Sequence, residues 1–246
     1  MDNDDLPVGR VLTRREALAL LGATGALLFL GCSADGSAAA TTPTTDDGTC
    51  VVKPELTEGP YYVDEELNRS DIRIDPSDGS VRDGALLALT FNVSTLASGA
   101  CAPLAGAIVD VWHCDAQGVY SDVSDGGFNT VGRKFLRGYQ VSDANGTASF
   151  TTIYPGWYSG RAVHIHFKVR SSTSSTSSYE FTSQLFFDDS LTDQVHAQQP
   201  YATKGQRDTR NANDGIYTQG GSQLVLDVAA SDSGYSATFD IALQDA

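Results

Sequence analysis

Short runs of apolar and β-branched residues, separated by polar turns, dominate the chain from about residue 50 onward. Such residues favour strands, and the Asp, Asn, Ser and Gly residues between the runs favour tight turns. Apart from one short helical turn expected at Leu191–Gln199, no sustained helical period follows residue 50. The pattern predicts an all-β fold, an antiparallel β-sandwich with long active-site loops. The predicted strands are Leu86–Val93, Ala107–Trp112, Phe135–Val141, Thr147–Ile153, Ala162–Val169, Thr182–Phe187, Gln223–Val228 and Ser236–Leu243.

The alternation within Ala162–Val169 predicts how that strand is oriented. An apolar residue stands at every second position, so His164 and His166 share the opposite face. Imidazoles at i and i+2 of a strand lie side by side, close enough to bind one metal ion. Taken alone, the histidine pair is weak evidence for a particular metal site, because such pairs also occur in zinc sites, in ferrous sites and on solvent-exposed faces. Residues 188–222 form a long irregular excursion that we expect to cover a site, and Ser171–Ser178 a solvent loop.

Residues 1–32 have the features of an export signal. Thr13-Arg14-Arg15-Glu16-Ala17-Leu18 is a twin-arginine pattern, followed by an uncharged run to Gly31 that is too short to span a bilayer. Cys32 ends this run as in a lipoprotein cleavage site, but the match is imperfect, which leaves lipid attachment open. Residues 33–49 are rich in Ser, Ala, Thr, Gly and Asp and predict a flexible tether. Residues 50–246 are then the folded domain.

The charge of the chain bears on its partners. The formal net charge is −15, and without residues 1–32 the chain keeps 13 basic and 27 acidic side chains, a net −14. Such a surface repels phosphate backbones and anionic lipid heads. We therefore expect no nucleic-acid partner.

Three cysteines follow the export signal: Cys50, Cys101 and Cys114. An exported protein usually oxidises a pair and leaves an odd thiol free. Because Cys50 opens the folded part and Cys101 lies in a Gly-Ala-Cys-Ala-Pro turn, we expect these two to be bonded. Cys114, at the end of an apolar strand, is expected to be a buried free thiol.

Tyrosines, rather than further histidines, accompany the histidine pair. Tyr154 and Tyr158 come directly before its strand, and the only other histidines are His113 and His196, which we expect to be structural. A zinc or ferrous site would need a third histidine or a carboxylate, for which Asp115 and Asp122 are the nearest candidates.

At this point the chain resembles the intradiol ring-cleavage dioxygenases, the family of catechol 1,2-dioxygenase and protocatechuate 3,4-dioxygenase. The resemblance covers residues 50 to about 190 and consists of several segments in order. They are Thr57-Glu58-Gly59-Pro60-Tyr61-Tyr62, Leu104–Ala107 with Val111-Trp112-His113, Gly118-Val119-Tyr120-Ser121, Phe135–Gln140, Asp143–Gly146, Pro155-Gly156-Trp157-Tyr158, and Arg161 with His164–Phe167.

This resemblance implies a non-haem ferric iron that opens catechol-type rings with O2 between the two hydroxyl-bearing carbons, giving muconate-type diacids. The implied iron ligands are Tyr120, Tyr158, His164 and His166, with Tyr158 and His166 axial. Tyr158 would also accept a substrate proton, and Arg161 would stabilise negative charge on the substrate. Gln184 would be a polar partner beside the ligands, and Thr57 and Pro60 would form part of the pocket wall.

Charge counting agrees with this ligand set, because two phenolates and one hydroxide cancel the three charges of ferric iron, with two neutral imidazoles completing five ligands. The chain departs from the family in having only five residues between Tyr158 and His164 and no helical dimerising segment. The shorter loop leaves Tyr154 as an alternative ligand, although the Pro-Gly-x-Tyr frame favours Tyr158. A non-catalytic transthyretin-like binding module is the competing interpretation of the fold. The sequence indicates neither the oligomeric state nor which catechol is used.

Overall fold

The computed structural model of the protein describes residues 50–97, 99–171 and 179–244. The export signal, the tether, Cys32 and nearly all of the serine-rich loop lie outside the described residues and stay predictions. Within the described ranges, no helix is long and apolar enough to cross a membrane.

Strands dominate these ranges, and they form two main sheets. The strands are β1 (Leu86–Ala97), β2 (Ala100–Pro103), β3 (Ile108–Trp112), β4 (Ser124–Asp125), β5 (Phe128–Asn129), β6 (Arg137–Val141), β7 (Thr147–Ile153), β8 (His164–Arg170), β9 (Glu180–Phe186), β10 (Val228–Ser231) and β11 (Gly234–Gln244). The helix α1 spans Asp189–His196, which overlaps the predicted helical turn but begins two residues earlier, and the Asp188 carboxylate caps it by accepting from Ser190 N and Leu191 N.

The first sheet has the order β10-β11-β1-β2, with β7 pairing beside β2 along the same edge of β1. The second has the order β6-β3-β8-β9, and β4 and β5 form a small hairpin. All pairs are antiparallel except β1 and β11, which run parallel. The predicted antiparallel sandwich is confirmed with this one exception. Hydrophobic alternation sets which face of a strand is buried but not the direction of its neighbour.

The core lies between the two sheets and is rich in aromatic residues. Phe91 of β1 packs at 5.3 Å between ring centroids from Phe167 of β8, and Phe239 of β11 is also 5.3 Å from Phe167. The predicted apolar stripe of β8 is buried here, at 3% exposure or less for each member. A fully buried side chain of this size stabilises the fold by about 1.5–3 kcal/mol. Burying the apolar stripe leaves the histidine face of β8 pointing away from the core.

One predicted strand, Gln223–Val228, is wrong. Gly221–Gln223 is a short 3-10 helix, and the strand β10 begins only at Val228. Leu224 and Leu226 are buried, and their backbone bonds Phe186, through Leu224 O at 2.9 Å and Leu226 N at 2.8 Å, while Leu224 N donates back to Gly221 O at 2.9 Å. The apolar alternation here reflects docking onto the end of β9 and not membership of a sheet.

The cysteine predictions are confirmed. Cys50 and Cys101 form a disulfide that ties the start of the described chain to β2. Cys114 is a buried free thiol, with 1% of its surface exposed. Such a bond is typical of proteins that fold in an oxidising compartment.

Candidate metal centre

The two histidines of β8 meet at their outer ring nitrogens. Nε2 of His164 lies 2.9 Å from Nε2 of His166, and both side chains are at most 2% exposed. Nδ1 of His164 lies 2.6 Å from the carbonyl oxygen of Ala162. Because a carbonyl only accepts, Nδ1 carries the proton and Nε2 of His164 presents a lone pair. The strand therefore holds two imidazoles at one point, as its alternation predicts.

Two tyrosines complete the cluster. The hydroxyl of Tyr158 lies 3.2 Å from Nε2 of His164, and the ring of Tyr120 lies 5.7 Å from that of Tyr158 and 6.2 Å from that of His166. The Tyr120 hydroxyl is buried and has no hydrogen bond of acceptable geometry, although the neighbouring Tyr158 contributes to its raised pKa. The structure thus brings all four residues implied as ligands together.

Tyr154, the alternative ligand, lies elsewhere. Its hydroxyl is 2.7 Å from Oγ1 of Thr192 on α1, and its ring packs at 4.3 Å from that of Phe187. It is fully buried among core residues. Of the two tyrosines before β8, Tyr158 is therefore the one whose hydroxyl contacts the histidine pair.

Two glycines allow the tyrosine segments to approach each other. A Cβ on Gly118, whose φ is +76°, would lie 2.1 Å from the carbonyl oxygen of Trp157. A Cβ on Gly156 would lie 2.4 Å from the carbonyl oxygen of Asp115, to which Gly156 N donates at 3.1 Å. No other residue fits at either contact without moving the backbone. The turn before Tyr120 and the loop before Tyr158 are thereby interlocked.

Burial sets the protonation states of the cluster. It is the largest cause that lowers the pKa of His164 to about 3 and the pKa of His166 well below its usual value, so both imidazoles are neutral near pH 7. It is also the main cause that raises the pKa values of Tyr120 and Tyr158. Without a cation both phenols keep their protons, whereas a multivalent cation supplies the energy to displace them.

These donors fit a ferric ion. Imidazole nitrogens bind metal ions at about 2.1 Å, so two bound at right angles are about 3.0 Å apart, close to the separation of the two Nε2 atoms. Buried phenolic oxygens beside imidazoles suit a hard, highly charged cation. In the described parts of the chain, no three His, Cys, Asp or Glu side chains are grouped to hold a metal. Asp115 and Asp122 instead accept backbone N–H groups, from Gln117 at 2.9 Å and from Gly132 at 2.6 Å.

Arg161 is held beside the cluster by two acceptors. Its Nε donates to Oδ2 of Asp214 at 3.0 Å and its NH2 donates to Oε1 of Gln184 at 2.6 Å. Gln184 in turn donates from Nε2 to the carbonyl oxygen of Thr57 at 2.8 Å. The fully buried Asp214 also accepts from Ala162 N at 2.7 Å. The sequence pattern marked Arg161 and Gln184 but gave no signal for Asp214, which the 188–222 excursion contributes.

The 57–62 segment closes over the histidines. Thr57 is buried, and its Oγ1 accepts from Gly59 N at 3.2 Å, while Pro60 is exposed. Gly59 has a φ of +73°, and a Cβ there would lie 3.1 Å from Cε1 of His166. Thr57 and Pro60 thus lie on the segment next to His166, where the pocket wall is expected.

Two aromatic residues that were given no role in the sequence interpretation pack on the ligands. The ring of Tyr61 stacks on that of Tyr120 at 4.5 Å, and its hydroxyl donates to Oδ2 of Asp125 at 2.7 Å. Trp112 stacks on His166 at 5.0 Å with 9° between the planes. Both lie in segments that resemble the family, which is the signal that could have marked them.

Other polar residues have structural partners. Nε2 of His113 lies 2.6 Å from Oγ1 of Thr152, and Nε2 of His196 lies 3.0 Å from the carbonyl oxygen of Pro155, as expected of structural histidines. A shallow cleft lies between the 62–67 segment and strands β3 and β6. Its lining includes Trp112 and Arg137 but none of the four candidate ligands. This cleft is therefore separate from the cluster.

Comparison with known proteins places the chain in a family. A family model described as Dioxygenase matches residues 57–245. The intradiol ring-cleavage dioxygenase of Tetranychus urticae is 30% identical, with a TM-score of 0.68 over 79% of this chain and 95% of that chain.

Two comparisons with chlorocatechol enzymes are more limited. A chlorocatechol 1,2-dioxygenase of Pseudomonas sp. (strain P51) is 33% identical over 87 residues, which are 28% of this chain and a third of that protein's length. The 3-chlorocatechol 1,2-dioxygenase of Rhodococcus opacus 1CP, at 20% identity, 79% and 73% coverage of the two chains and a TM-score of 0.55, shares the fold. The family model spans most of the described chain, and the chain belongs to the intradiol ring-cleavage dioxygenase family.

Proposed function

We propose that the protein is a non-haem ferric dioxygenase that opens catechol-type rings between the two hydroxyl-bearing carbons, using O2 and forming muconate-type diacids. The observation that supports this most strongly is the convergence of Tyr120, Tyr158, His164 and His166 at one buried point. A transthyretin-like binding module would have no need for two phenols beside two neutral imidazoles in its interior. Family membership favours the enzyme in the same way.

The four converging residues would hold the iron. Bound there, ferric iron would bind the catechol oxygens and draw electron density from the ring, which prepares it to react with O2. Ala162 fixes the tautomer of His164 through the 2.6 Å hydrogen bond at Nδ1. Trp112 fixes the ring plane of His166 by stacking. These contacts preorganise the donors before any ligand arrives.

Tyr158 is the proposed proton acceptor for one substrate hydroxyl. It is more exposed than Tyr120, which is 1% exposed and covered by the ring of Tyr61. Its raised pKa means that, once ionised, its oxygen is basic enough to take a phenolic proton. Tyr120 would then remain a metal ligand throughout, while Tyr158 would take part in proton transfer.

Arg161 would place positive charge beside the substrate ring. Its guanidinium is aimed by Asp214 and Gln184, with the distances of 3.0 and 2.6 Å given above, so little reorganisation is needed when charge develops on the ring. Gln184 is linked through Thr57 to the segment over His166. The position of the segment over His166 and the aim of Arg161 therefore depend on the same chain of hydrogen bonds.

Export is part of the proposal. The twin-arginine segment at residues 13–18 would carry the folded, metal-loaded protein across the membrane, and the Cys50–Cys101 disulfide supports an oxidising destination. Mass spectrometry of protein recovered from the producing cell would test this proposal. A mature chain lacking residues 1–31 with a lipid on Cys32 would establish anchoring, and a chain cleaved elsewhere without lipid would establish release. An uncleaved chain in the cytoplasm would contradict export.

Iron-loaded purified protein tests the catalytic proposal. It is expected to show the visible absorption of phenolate-to-iron charge transfer, to consume O2 with catechol and to form a cis,cis-muconate. The alternative would be a colourless protein that binds zinc, fails to retain iron and leaves catechol intact, and that result would refute the dioxygenase proposal.

A further inference from the structure

Arg137, the first residue of the edge strand β6, is a buried cation. Only 2% of the residue is exposed. Its Nε donates to Oγ of Ser121 at 2.8 Å, its NH2 donates to the carbonyl oxygen of Ser121, and its NH1 donates to the carbonyl oxygen of Tyr61 at 3.2 Å. The guanidinium thus points inward, toward the segments that carry Tyr61 and Tyr120.

The acceptors of this guanidinium are all neutral. Among the described residues, Arg137 forms no ion pair, unlike Arg133, which pairs with Asp75 and Asp78, and Lys134, which pairs with Glu65. Burial lowers the pKa of Arg137, which reflects the free energy needed to hide its charge. A buried charge without an ionic partner is costly, so Arg137 destabilises the fold unless its hydrogen bonds secure something else.

Its hydrogen bonds secure the two stacked tyrosines. Ser121 directly follows Tyr120, and Tyr61 is the residue whose ring lies 4.5 Å from the ring of Tyr120, at 27° between the planes. One planar guanidinium therefore holds the backbone of Tyr61 and the backbone directly after Tyr120. Oγ of Ser121 also donates to the carbonyl oxygen of Phe135 at 2.6 Å, which joins the same point to the segment before β6.

The backbone on both sides of this point is strained. Asp122, which follows Ser121, has a φ of +52°, and Leu136, which precedes Arg137, has a φ of +53°. Residues other than glycine rarely adopt this left-handed conformation and need the surrounding structure to hold it. Strain beside the guanidinium indicates that this backbone path is maintained against its local preference.

We propose that Arg137 is a positioning residue for Tyr120: it locks the Ser121 and Tyr61 backbones so that Tyr120, whose buried hydroxyl has no hydrogen-bond partner, stays beside Tyr158 and His166. This inference rests on the proposed ferric site. It assigns Arg137 no contact with substrate. All three of these hydrogen bonds run to protein acceptors, on Ser121 and Tyr61.

The test compares Arg137→Met and Arg137→Lys with wild type and with Arg210→Gln, a control at an exposed arginine that pairs with Asp193. Each protein is loaded with iron and measured for charge-transfer absorption per bound iron, for the rate of iron loss to a chelator, and for kcat and KM. Thermal unfolding is followed separately. The absorption, iron-release and kinetic measurements report the position of Tyr120 at the metal site, and thermal unfolding reports the stability of the fold.

Arg137→Met is expected to shift and weaken the absorption band per iron and to release iron about tenfold faster or more. Its kcat per bound iron should fall by about tenfold or more, with KM changed less than kcat. Arg137→Lys should recover part of each loss, because an ammonium can still donate to the Ser121 and Tyr61 carbonyls. Arg210→Gln should match wild type in band, iron release and kcat.

A variant that melts at a lower temperature but keeps the wild-type band, iron release and kcat per iron would overturn the inference, since Arg137 would then be structural only. Where Arg137→Met does not fold, Ser121→Ala removes the Oγ acceptor and should shift the band in the same direction, and an unchanged band would again overturn it. A wild-type protein without the band would remove the proposed ferric site itself, which distinguishes the two failures.

Discussion

The hydroxyl of Tyr158 lies 3.2 Å from Nε2 of His164, which places the second tyrosine of the cluster next to the first histidine of β8. Only five residues separate the two in sequence. The short connection is stabilised from outside: Oγ of Ser159 donates to Oδ2 of Asp208 at 2.6 Å, and Nε1 of Trp157 donates to the carbonyl oxygen of Gly205 at 3.2 Å. The 188–222 excursion therefore supports the loop that carries Tyr158.

Tyr158→Phe should impair the metal site and catalysis, whereas Tyr154→Phe should affect only stability. Loss of the Tyr158 oxygen removes both a donor and the proposed proton acceptor, so the charge-transfer band should weaken and kcat should fall by about a hundredfold or more. Loss of the Tyr154 hydroxyl removes only its hydrogen bond to Thr192, costing about 1 kcal/mol of unfolding free energy with kcat unchanged. Visible spectra, steady-state kinetics and urea unfolding decide between them. The reverse pattern would make Tyr154 the ligand.

Asp214→Asn should impair Arg161 without removing any donor of the cluster. The amide keeps a similar shape but loses the charge that pairs with the guanidinium at 3.0 Å. We expect kcat to fall by about tenfold to a hundredfold, with iron content and the visible band unchanged. Asp240→Asn, at an exposed carboxylate that accepts from Asn92, is the matched control and should behave as wild type. Full activity in Asp214→Asn would show that Arg161 needs no such anchor.

Gly156→Ala should separate the two tyrosine segments. The added Cβ would meet the carbonyl oxygen of Asp115 at 2.4 Å, so the backbone must shift at a cost of about 2 kcal/mol or more in unfolding free energy. Because the shift moves the turn before Tyr120, iron retention should fall as well. Gly126→Ala, where a Cβ meets nothing within 4 Å, is the control. Denaturant unfolding and iron analysis measure both effects. Equal results for Gly156→Ala and Gly126→Ala would show that the close contact between Gly156 and Asp115 does not hold the two tyrosine segments together.

His113 predicts how stability depends on pH. Burial lowers its pKa to about 4, from 6.5 in an exposed histidine. Unfolding therefore takes up a proton between those two pH values, and stability falls as pH drops through this window, by roughly 3 kcal/mol in all. Urea unfolding at matched metal loading should show a shallower fall for His113→Gln than for wild type between pH 6.5 and pH 4. Identical slopes would mean that folding does not lower the pKa of His113.

The β8 histidines and the strand bounds of β7 were predictable because both depend on local alternation. Tyr120 and Tyr158 were predictable because short motifs that resemble the family contain them. Asp214 was not predictable, since it stands 53 residues after Arg161 and its burial depends on how the excursion folds. Nor was the inward direction of Arg137, which follows from the path of the chain around Ser121. Contacts between distant segments are set by tertiary packing, which no local pattern encodes.

The charges around the cluster predict which catechols are preferred. Arg161 is occupied by Asp214 and Gln184, and Lys168 by Glu58 and Glu180, while the ionised Asp125 holds the hydroxyl of Tyr61. Each of these two cations already faces an acidic partner, and the domain is strongly acidic as a whole. A catechol with a carboxylate should therefore react with a kcat/KM about tenfold lower than an uncharged catechol, a difference of about 1.4 kcal/mol.

The Asp125→Asn substitution removes a negative charge near Tyr61, so the ratio of kcat/KM for an uncharged catechol to that for a carboxylated one should fall by a few fold. Added salt should lower this ratio further because exposed charges are screened. Kinetics with catechol and 3,4-dihydroxybenzoate at low and high ionic strength measure both effects. Asp78→Asn, an exposed carboxylate that pairs with Arg133, is the control and should leave the ratio unchanged. A carboxylated catechol that reacts as fast as catechol would contradict this preference and would mean that Arg161 offers its remaining N–H donors to the substrate carboxylate.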